Sequence, residues 1–220
     1  MRRILDEENN SNVGRLLTRL RSVDAQRDRA HFRAALHDLG YLLALEIAKT
    51  MPNAAPLVRT PLGERTEPML AQSPVLATVL RAGLPMFEGA LAAFPDSDCM
   101  FFGAARREGQ AAGAEPRMHI ECGYAAFSAV EGRTLIYVDP MLATGSTLLR
   151  VHEEVLLHAG RPARVIVAAV VAYRPSIALL ERELGAEVYC ASADDELDAR
   201  GYIVPGLGDA GDLAYGPRLA

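Results

Sequence analysis

The N-terminal third of the chain has the hydrophobic spacing of amphipathic helices. Two sets of apolar residues recur at intervals of three and four: Val13, Leu16, Leu17 and Leu20, then Leu36, Leu39, Leu43 and Ile47. Each set would place an apolar stripe on one face of a helix, with arginines and acids on the other. The second helix is predicted to end before Pro52, because proline cannot continue the helical hydrogen bonds.

Four prolines interrupt the following segment, residues 53–74. Proline lacks an amide hydrogen and fixes its own backbone angle, so this segment is predicted to be extended or looped. Within it, Thr60-Pro61-Leu62-Gly63-Glu64 has the composition of a turn.

From residue 75 onward, short apolar runs alternate with helix-like stretches. The runs, rich in Val, Ile, Phe and Tyr, cover residues 75–80, 99–102, 134–138, 164–172 and 187–191. Such runs are typical of strands buried on both faces. Helical spacing or a first-turn proline follows three of them, at Pro85, Leu148 and Pro175. This alternation predicts an α/β fold with a doubly wound, mainly parallel sheet, and we expect residues 1–220 to form one domain.

Composition and charge exclude several classes of protein. Of the 220 residues, 50% are hydrophobic and 23% are charged, so the chain can bury a core and is not of the disordered class. The formal net charge of −5 argues against broad binding to nucleic acid or to anionic membranes. A local basic pocket for a phosphorylated metabolite remains compatible with it.

The three cysteines, Cys99, Cys122 and Cys190, are an odd number and contain no CxxC pair. This argues against a disulfide framework or a zinc ribbon and fits a reducing compartment. The first ten residues turn acidic before any apolar run develops, and no run approaches the roughly 18 residues of a membrane span. We therefore expect a cytoplasmic protein without a membrane partner.

One loop after a predicted strand has the composition of an anion site. Ligands of parallel α/β sheets bind beyond the carboxyl ends of the strands. There, Asp139 is followed by a Thr-Gly-Ser-Thr loop that leads into a helix, so amide and hydroxyl donors would face an anion. Gly145 would let the backbone approach the anion closely. Asp139 could accept hydrogen bonds from sugar hydroxyls or help hold Mg²⁺. No Walker lysine follows. The alternative is an ordinary turn in which Ser or Thr caps the helix.

The second conspicuous segment is residues 201–212, which is rich in glycine. Gly206, Gly208 and Gly211 match GxGxxG, but only nine residues follow, too few for the helix and strand of a dinucleotide-binding unit. Backbone N–H and C=O groups exposed by these glycines could instead match the edge of a flat polar ligand such as a pyrimidine. The alternative is a terminal loop that packs on the sheet and binds nothing.

Together these segments resemble the uracil phosphoribosyltransferase family, a branch of the type I phosphoribosyltransferase fold. The resemblance covers essentially the whole chain and rests on residues 60–63, 79–84, 139–145 and 202–212. In this family the donor-binding loop has Asp-Pro, here Asp139-Pro140. The resemblance implies that 5-phospho-α-D-ribose 1-diphosphate and uracil react to give UMP and diphosphate, with Mg²⁺. Positioning and charge stabilisation would then do most of the catalysis.

The resemblance also implies residue roles. The phosphoribosyl donor would contact Arg81, Arg106, Asp139, Pro140, Met141, Leu142, Ala143, Thr144, Gly145, Ser146, Thr147 and Asp209. The base would lie against Ile203, Gly208, Asp209 and Ala210. Asp139, Arg106 and Asp209 would be catalytic, and Mg²⁺ would arrive on the substrate diphosphate rather than in a protein site. The apolar N-terminal helices suggest a homodimer or higher homo-oligomer.

The chain departs from the family pattern at several positions. Ser146 and Thr147 stand where the family continues Gly-Ser, residues 118–124 lack the usual lysine, and Leu213 replaces a basic residue. Arg174-Pro175-Ser176 replaces Pro-Glu-Gly. Two alternatives therefore stay open: a phosphoribosyltransferase for another base, and a non-catalytic nucleotide sensor or RNA-binding regulator.

The remaining titratable residues are assigned packing or surface roles. His31 and His37, like His152 and His158, are six residues apart, so the members of each pair would point to different helix faces and could not share a metal. His119 is assigned to the surface or to packing. The acidic cluster is predicted to be a solvated turn or helix start. Its members are Asp194, Asp195, Glu196 and Asp198.

Overall fold

A computed structural model describes the backbone of residues 2–106 and 120–217 and the side chains of residues 3–103 and 123–217. The strands are β1 (Arg2–Ile4), β2 (Asn53–Ala54), β3 (Leu57–Thr60), β4 (Gly63–Thr66), β5 (Met69–Leu70), β6 (Val75–Leu80), β7 (Asp98–Arg106), β8 (Ile120–Ala126), β9 (Thr134–Leu142), β10 (Arg164–Tyr173), β11 (Glu187–Asp194), β12 (Glu196–Leu197) and β13 (Ile203–Val204). The helices are α1 (Ser11–Arg21), α2 (Arg29–Ala48), α3 (Leu84–Ala93), α4 (Ser146–His158), α5 (Arg174–Leu184) and α6 (Ala210–Tyr215), with 3₁₀ turns at Asp6–Glu8 and Ala25–Arg27.

Seven of these strands form the central sheet, in the order β1-β11-β10-β9-β6-β7-β8. All neighbouring pairs are parallel except β7 and β8, which are antiparallel. The strands that follow one another along the chain are joined by α3, α4 and α5, as parallel connections require. The predicted α/β class with a mainly parallel sheet is therefore confirmed.

Helices cover both faces of the sheet, and alternate side chains of one strand show this directly. In β9, Ile136 and Val138 belong to the core shared with α1, α2 and α3. Leu135 and Tyr137, pointing the other way, belong to the core shared with α4 and α5. Strands that are buried on both faces have continuous apolar sequences, which explains the short apolar runs found from residue 75 onward. The fold is doubly wound.

The N-terminal helices are built as the apolar spacing predicts. All eight residues of the two predicted stripes are buried. Helices α2 and α3 approach so closely that their backbones touch. A Cβ added at Gly40 would lie 2.0 Å from the Met86 carbonyl oxygen, and one at Gly89 would lie 1.9 Å from that of His37. This reciprocal glycine contact fixes α3 against α2, and with it the turn that precedes α3.

Other parts of the chain were predicted less completely. Residues 53–74 are extended as expected, but they form two small antiparallel pairs, β2 with β5 and β3 with β4, the latter closed by the predicted turn. The antiparallel edge strand β8 and the short helix α6 were not predicted. Strand β9 runs four residues beyond its predicted end, because β10 continues beside it as far as Leu142.

Across the described part of the chain, no helix combines the length and apolar character needed to cross a membrane.

Candidate functional site at the carboxyl edge

The loops of interest leave the sheet at the edge where the parallel strands end. The β6–α3 turn (residues 81–83) follows β6, and the β9–α4 junction (residues 139–147) follows its neighbour β9. Strand β9 pairs with β6 only as far as Val138, opposite Thr78, whereas its pairing with β10 continues to Leu142. Asp139 is therefore the first residue of β9 beyond the ladder with β6, where the sheet opens.

The β9–α4 junction has a compact internal structure. The Asp139 carboxylate accepts a hydrogen bond from the Met141 amide at 3.1 Å, which fixes the turn around Pro140. The Thr144 and Ser146 hydroxyl oxygens are 2.7 Å apart, and both side chains are partly exposed. Gly145 has φ +77°, a left-handed conformation that glycine adopts without strain. The junction thus gathers two hydroxyls beside the amino end of α4.

Helix N-termini that directly follow the parallel strands differ from those of the other described helices. The N-cap residues of α3, α4 and α5 are Gly83, Gly145 and Tyr173, and none of them provides a capping side chain. By contrast, an Asn or Asp side chain caps each of α1, α2 and α6. In α4 the Thr144 hydroxyl oxygen accepts from the Ser146 amide at 3.4 Å, so one backbone donor is bonded within the junction, while the positive dipole end remains favourable for an anion. The alternative considered from sequence, that Ser or Thr caps α4, holds in part, since Gly145 at the N-cap provides no side chain but Thr144 accepts from the Ser146 amide.

The β6–α3 turn is held against the sheet by Gly83. A Cβ at this position would lie 2.0 Å from the Thr78 hydroxyl oxygen, which itself donates to the Val138 carbonyl at 2.8 Å. The peptide bond between Leu80 and Arg81 is cis. Arg81 Nη2 donates to Asp212 at 3.2 Å and to the Gly216 carbonyl at 3.3 Å. Its Nε is buried and finds no hydrogen-bond partner in the described residues.

The C-terminal segment (residues 203–216) folds back over the same edge. Gly206 has φ +55°, and a Cβ there would lie 2.1 Å from the Ile203 carbonyl oxygen, so only glycine fits this turn. The Asp209 carboxylate caps α6 by accepting from the Asp212 amide at 2.9 Å, and its second oxygen lies 3.4 Å from the Tyr202 hydroxyl. Gly208, at φ +88°, and Asp209 are exposed.

Turn residues before this segment are also fixed by hydrogen bonds. The Asp198 carboxylate accepts from the Tyr202 amide at 2.8 Å and from the Arg200 amide at 2.9 Å. The backbone hydrogen bond from Tyr202, which favours the ionised form, is the main reason that the pKa of Asp198 is lowered.

Two side-chain contacts locate the C-terminal segment relative to the strands. At one end, Arg81 after β6 binds Asp212 and Gly216. At the other end of the segment, the Asp194 carboxylate at the end of β11 accepts a hydrogen bond from the Gly206 amide at 2.9 Å. Strands β9 and β10 lie between β6 and β11 in the sheet, so the C-terminal segment spans the carboxyl edge on which the β9–α4 junction opens.

The structure qualifies some of the expectations for individual residues. Ile203 and Ala210 are each 3% exposed and belong to the core, so they could meet a base only through their backbone groups. The side chains of Arg106 and Cys122 and the whole of His119 lie outside the described residues. Arg81 contacts the C-terminal segment, a link that was not foreseen.

The prediction that the acidic cluster is solvated is wrong for Asp194. Its side chain is 9% exposed because Arg21 and the Gly206 amide surround its carboxylate. Asp195 is exposed as expected, and it pairs with Arg174 at 3.0 Å. A buried carboxylate at a strand end could have been suspected because Asp194 lies three residues beyond the apolar run 187–191.

Ser176 is a second residue whose role sequence reasoning missed. It is buried in the first turn of α5, and its hydroxyl donates to the Ala143 carbonyl in the β9–α4 junction. The stretch 174–176, which departs from the family pattern, therefore supports the junction from the first turn of the neighbouring helix α5.

Carboxylates near the edge do not form a metal site by themselves. Among the described side chains, residues 3–103 and 123–217, no group of three or more His, Cys, Asp or Glu is arranged to hold a metal ion. Asp139 and Asp209 are hard oxygen donors on the two segments that meet at the edge, which is the donor type that Mg²⁺ prefers. The residues present therefore fit an ion whose other ligands come from a bound phosphate compound.

Comparisons with known proteins agree over nearly the whole chain. The family model described as "Uracil phosphoribosyltransferase" matches residues 8–217. Proteins of that name include one from Porphyromonas gingivalis, 36% identical over 209 residues with 94% of each chain covered. Another, from Thermococcus gammatolerans, is 40% identical over 209 residues, covering 93% of this chain and 89% of its own. A third, from Corynebacterium diphtheriae, is 40% identical over 197 residues and 89% of both chains.

A solved structure shares the fold. The AQ2163 protein from Aquifex aeolicus superposes with a TM-score of 0.84 at 28% sequence identity, with both chains covered completely.

Proposed function

The chain belongs to the uracil phosphoribosyltransferase family, and from this premise we propose that it transfers the phosphoribosyl group of 5-phospho-α-D-ribose 1-diphosphate to uracil, giving UMP and diphosphate. The observation that supports this most is the meeting of the β9–α4 junction and the C-terminal segment at one sheet edge. A donor with a phosphate and a flat base need two such neighbouring sites. We treat residues 1–220 as one domain, since both core clusters pack on the same sheet.

The β9–α4 junction holds the ribose and the 5′-phosphate in this proposal. The 5′-phosphate binds the amide groups at the start of α4 together with the Thr144, Ser146 and Thr147 hydroxyls. Asp139 accepts hydrogen bonds from the ribose hydroxyls. Residues 140–143 connect the ribose-binding Asp139 to the phosphate-binding residues 144–147. The hydrogen bond from the Ser176 hydroxyl to the Ala143 carbonyl supports their conformation.

The arginines act on the diphosphate side. In the reaction the bond between ribose C1 and the diphosphate oxygen breaks, and its electron pair leaves with diphosphate. The uracil N1 electron pair forms the new bond to C1, and the N1 proton is released. Negative charge thus grows on the diphosphate, and Arg81 and Arg106 stabilise it. The bonds from Arg81 to Asp212 and Gly216 involve only Nη2 and Nε is buried, which leaves Nη1 to meet the substrate.

Asp139 and Asp209 would hold a magnesium ion at the edge together with the substrate diphosphate. When bound, the ion neutralises negative charge on the diphosphate oxygens. The protein residues themselves orient the donor, exclude water and place the base against C1.

The base lies against the backbone of residues 203 and 208–210. Uracil presents alternating donors and acceptors along one edge, and backbone N–H and C=O groups can match both. Exposed Gly208 brings no side chain between the base and the backbone, and Asp209 is held by its bond to the Asp212 amide. A rigid, backbone-lined site suits a small planar ligand whose hydrogen-bonding edge must be read accurately.

We propose further that the chain forms a homo-oligomer and works in the cytoplasm. The apolar N-terminal helices, from which the sequence suggested an oligomer, do not support it, because the apolar stripes of α1 and α2 are buried in the chain's own core. Better support comes from the β3–β4 hairpin, where Leu57 is 64% exposed and Leu62 is fully exposed. Two-stranded hairpins are marginally stable alone, so a second copy that covers these residues would stabilise them. Light scattering on a sizing column measures the assembly directly.

The test of the proposed activity mixes the purified protein, Mg²⁺, the phosphoribosyl donor and uracil, and measures UMP. Parallel reactions contain orotate, hypoxanthine or adenine. UMP formation with uracil alone is the expected result. Product with another base and none with uracil would indicate a different transferase, and donor binding without turnover on any base would indicate a nucleotide sensor.

A further inference from the structure

A partly buried ion pair connects the C-terminal segment to the first helix. Arg21, the last residue of α1, binds both carboxylate oxygens of Asp194, from Nη1 and Nη2, each at 3.0 Å. The same Nη2 also donates to the Ser192 hydroxyl at 2.8 Å. Asp194 lies at the carboxyl end of β11 with its side chain 9% exposed, and Arg21 is 24% exposed.

The second function of this carboxylate is to hold a loop amide. The Asp194 oxygen that accepts from Arg21 Nη1 also accepts from the Gly206 amide at 2.9 Å, in a buried environment. Gly206 adopts φ +55° directly before Leu207 and Gly208. Hydrogen bonds to a charged acceptor are the stronger kind, so this bond determines where the loop backbone lies.

A nearby contact from the N-terminal region reinforces the arrangement. The Gln26 side-chain amide donates to the Leu207 carbonyl at 2.8 Å and to the Leu20 carbonyl at the end of α1. The backbone of residues 206 and 207 is thus held from two sides by groups that lie outside the loop.

We propose that Asp194, oriented by Arg21, is a positioning residue for the base, which sets the affinity for uracil by fixing the backbone of residues 206–208. This inference rests on the proposed function. Asp194 itself is buried behind the loop and acts through the Gly206 amide rather than by touching the base. Loss of its charge frees the loop without altering the β9–α4 junction, so the effect falls on the base and not on the donor.

The neighbouring residue provides a matched control. Asp195 also pairs with an arginine, Arg174, at 3.0 Å, but it is 74% exposed. The two aspartates differ in burial and in the contact that matters here, because among the described residues Asp194 accepts from a loop amide and Asp195 is bonded to Arg174. A general effect of removing a carboxylate from this end of β11 would appear in both.

The experiment compares Asp194→Asn, Arg21→Gln, the double variant and Asp195→Asn in steady-state kinetics with each substrate varied. We expect KM for uracil to rise about tenfold or more in the first two, the size that loss of a hydrogen bond to a charged group gives. KM for the donor should stay within about twofold, since its site is elsewhere. The double variant should be no worse than the poorer single one, because the two residues act as a pair. Asp195→Asn should match wild type.

Amide hydrogen exchange gives a second readout. The Gly206 amide should exchange faster in Asp194→Asn than in the wild-type protein, and its exchange rate should be unchanged in Asp195→Asn. If Asp194→Asn does not fold, Arg21→Gln carries the test alone. Equal uracil KM values in Asp194→Asn, Arg21→Gln and wild type would overturn this inference but would leave the proposed transferase activity unaffected. A wild-type protein that makes no UMP would instead overturn the proposed function.

Discussion

The β9–α4 junction and the C-terminal segment lie at the same edge of the sheet, but they use their hydrogen-bonding groups differently. At the junction, α4 starts at a glycine that provides no capping side chain, and the Thr144 and Ser146 hydroxyls are partly exposed. In the C-terminal segment, Asp209 caps α6, and Gly206 and Leu207 are bonded to Asp194 and to Gln26.

This difference matches the chemistry of two unlike ligands. A phosphate dianion is bound well by hydroxyl and amide donors gathered at the positive end of a helix dipole. A neutral heterocycle gains little from charge and is distinguished from others by the accurate placement of donors and acceptors. The junction is therefore suited to an anion, and the fixed C-terminal segment is suited to a base. Substitutions in the two regions should affect different substrates.

The largest effect is expected from Asp139→Asn. Asn keeps the size of the side chain and an acceptor for the Met141 amide, so the fold should survive, but the negative charge at the end of β9 is lost. We expect turnover to fall by about 10²–10³-fold or more, as for removal of one group that stabilises a transition state. UMP formation measures it, and circular dichroism checks the fold.

A matched control for this prediction is Asp98→Asn. Asp98 begins β7, at the opposite end of the parallel strands, where it pairs with Arg133. Turnover should be unchanged in this variant. Comparable losses from both substitutions would show that the carboxyl edge has no special role.

An intermediate effect is expected from two glycine variants that separate the regions. Gly145→Ala and Gly208→Ala each force alanine into a left-handed conformation, at φ +77° and +88°, with no close steric contact. This strain costs about 1–2 kcal/mol in each case. We expect KM for the donor to rise in Gly145→Ala and KM for uracil to rise in Gly208→Ala, each by about tenfold.

Gly185→Ala supplies the control. Gly185, at the end of α5, also has a positive φ of +61°, and a Cβ there would meet no atom within 4 Å. It should lose similar stability and keep both KM values. If Gly145→Ala and Gly208→Ala raised the same KM, the two regions would not bind different substrates.

The smallest effect concerns a buried pair behind the junction. Tyr137 in β9 and His152 in α4 share a hydrogen bond of 3.0 Å between the phenol oxygen and Nδ1. Burial lowers the pKa of His152, with a smaller contribution from Arg161, and burial also raises the pKa of Tyr137. The folded protein therefore binds a proton on His152 less tightly than the unfolded chain does. Stability is then complete above the ordinary pKa of 6.5 and falls as pH drops through that value.

We expect the melting temperature to fall less between pH 7 and pH 5 in His152→Gln than in wild type, by a few degrees at most. His37→Gln, at an exposed position on α2, should retain the wild-type dependence. Identical pH dependence in all three proteins would show that this pair does not contribute to acid sensitivity.

Much of the fold could be predicted because periodicity reports burial. The stripes at Val13–Leu20 and Leu36–Ile47 and the apolar runs of the parallel strands follow from which faces are buried. Strand β9 was predicted too short because its last four residues include Asp139 and Pro140, which are rare in strands, and only pairing with β10 keeps them extended. Strand β8 and helix α6 lack a distinctive pattern of their own.

The candidate site was predictable where the chemistry lies in a continuous loop, as at residues 139–147. It was not predictable where it depends on contacts between distant parts of the chain. Arg21 and Asp194 are 173 residues apart, and Ser176 reaches Ala143 across 33 residues. No spacing rule connects such pairs, so only the fold shows that α1 fixes the C-terminal segment.

The central claim is that the two regions bind the two ends of one nucleotide, and a crystal structure with UMP tests it most directly. The account predicts the 5′-phosphate within hydrogen-bond distance of the amides and hydroxyls of residues 144–147, and the pyrimidine edge against the backbone of residues 203–210. A phosphate bound away from the start of α4, or a base that does not contact the C-terminal segment, would contradict it.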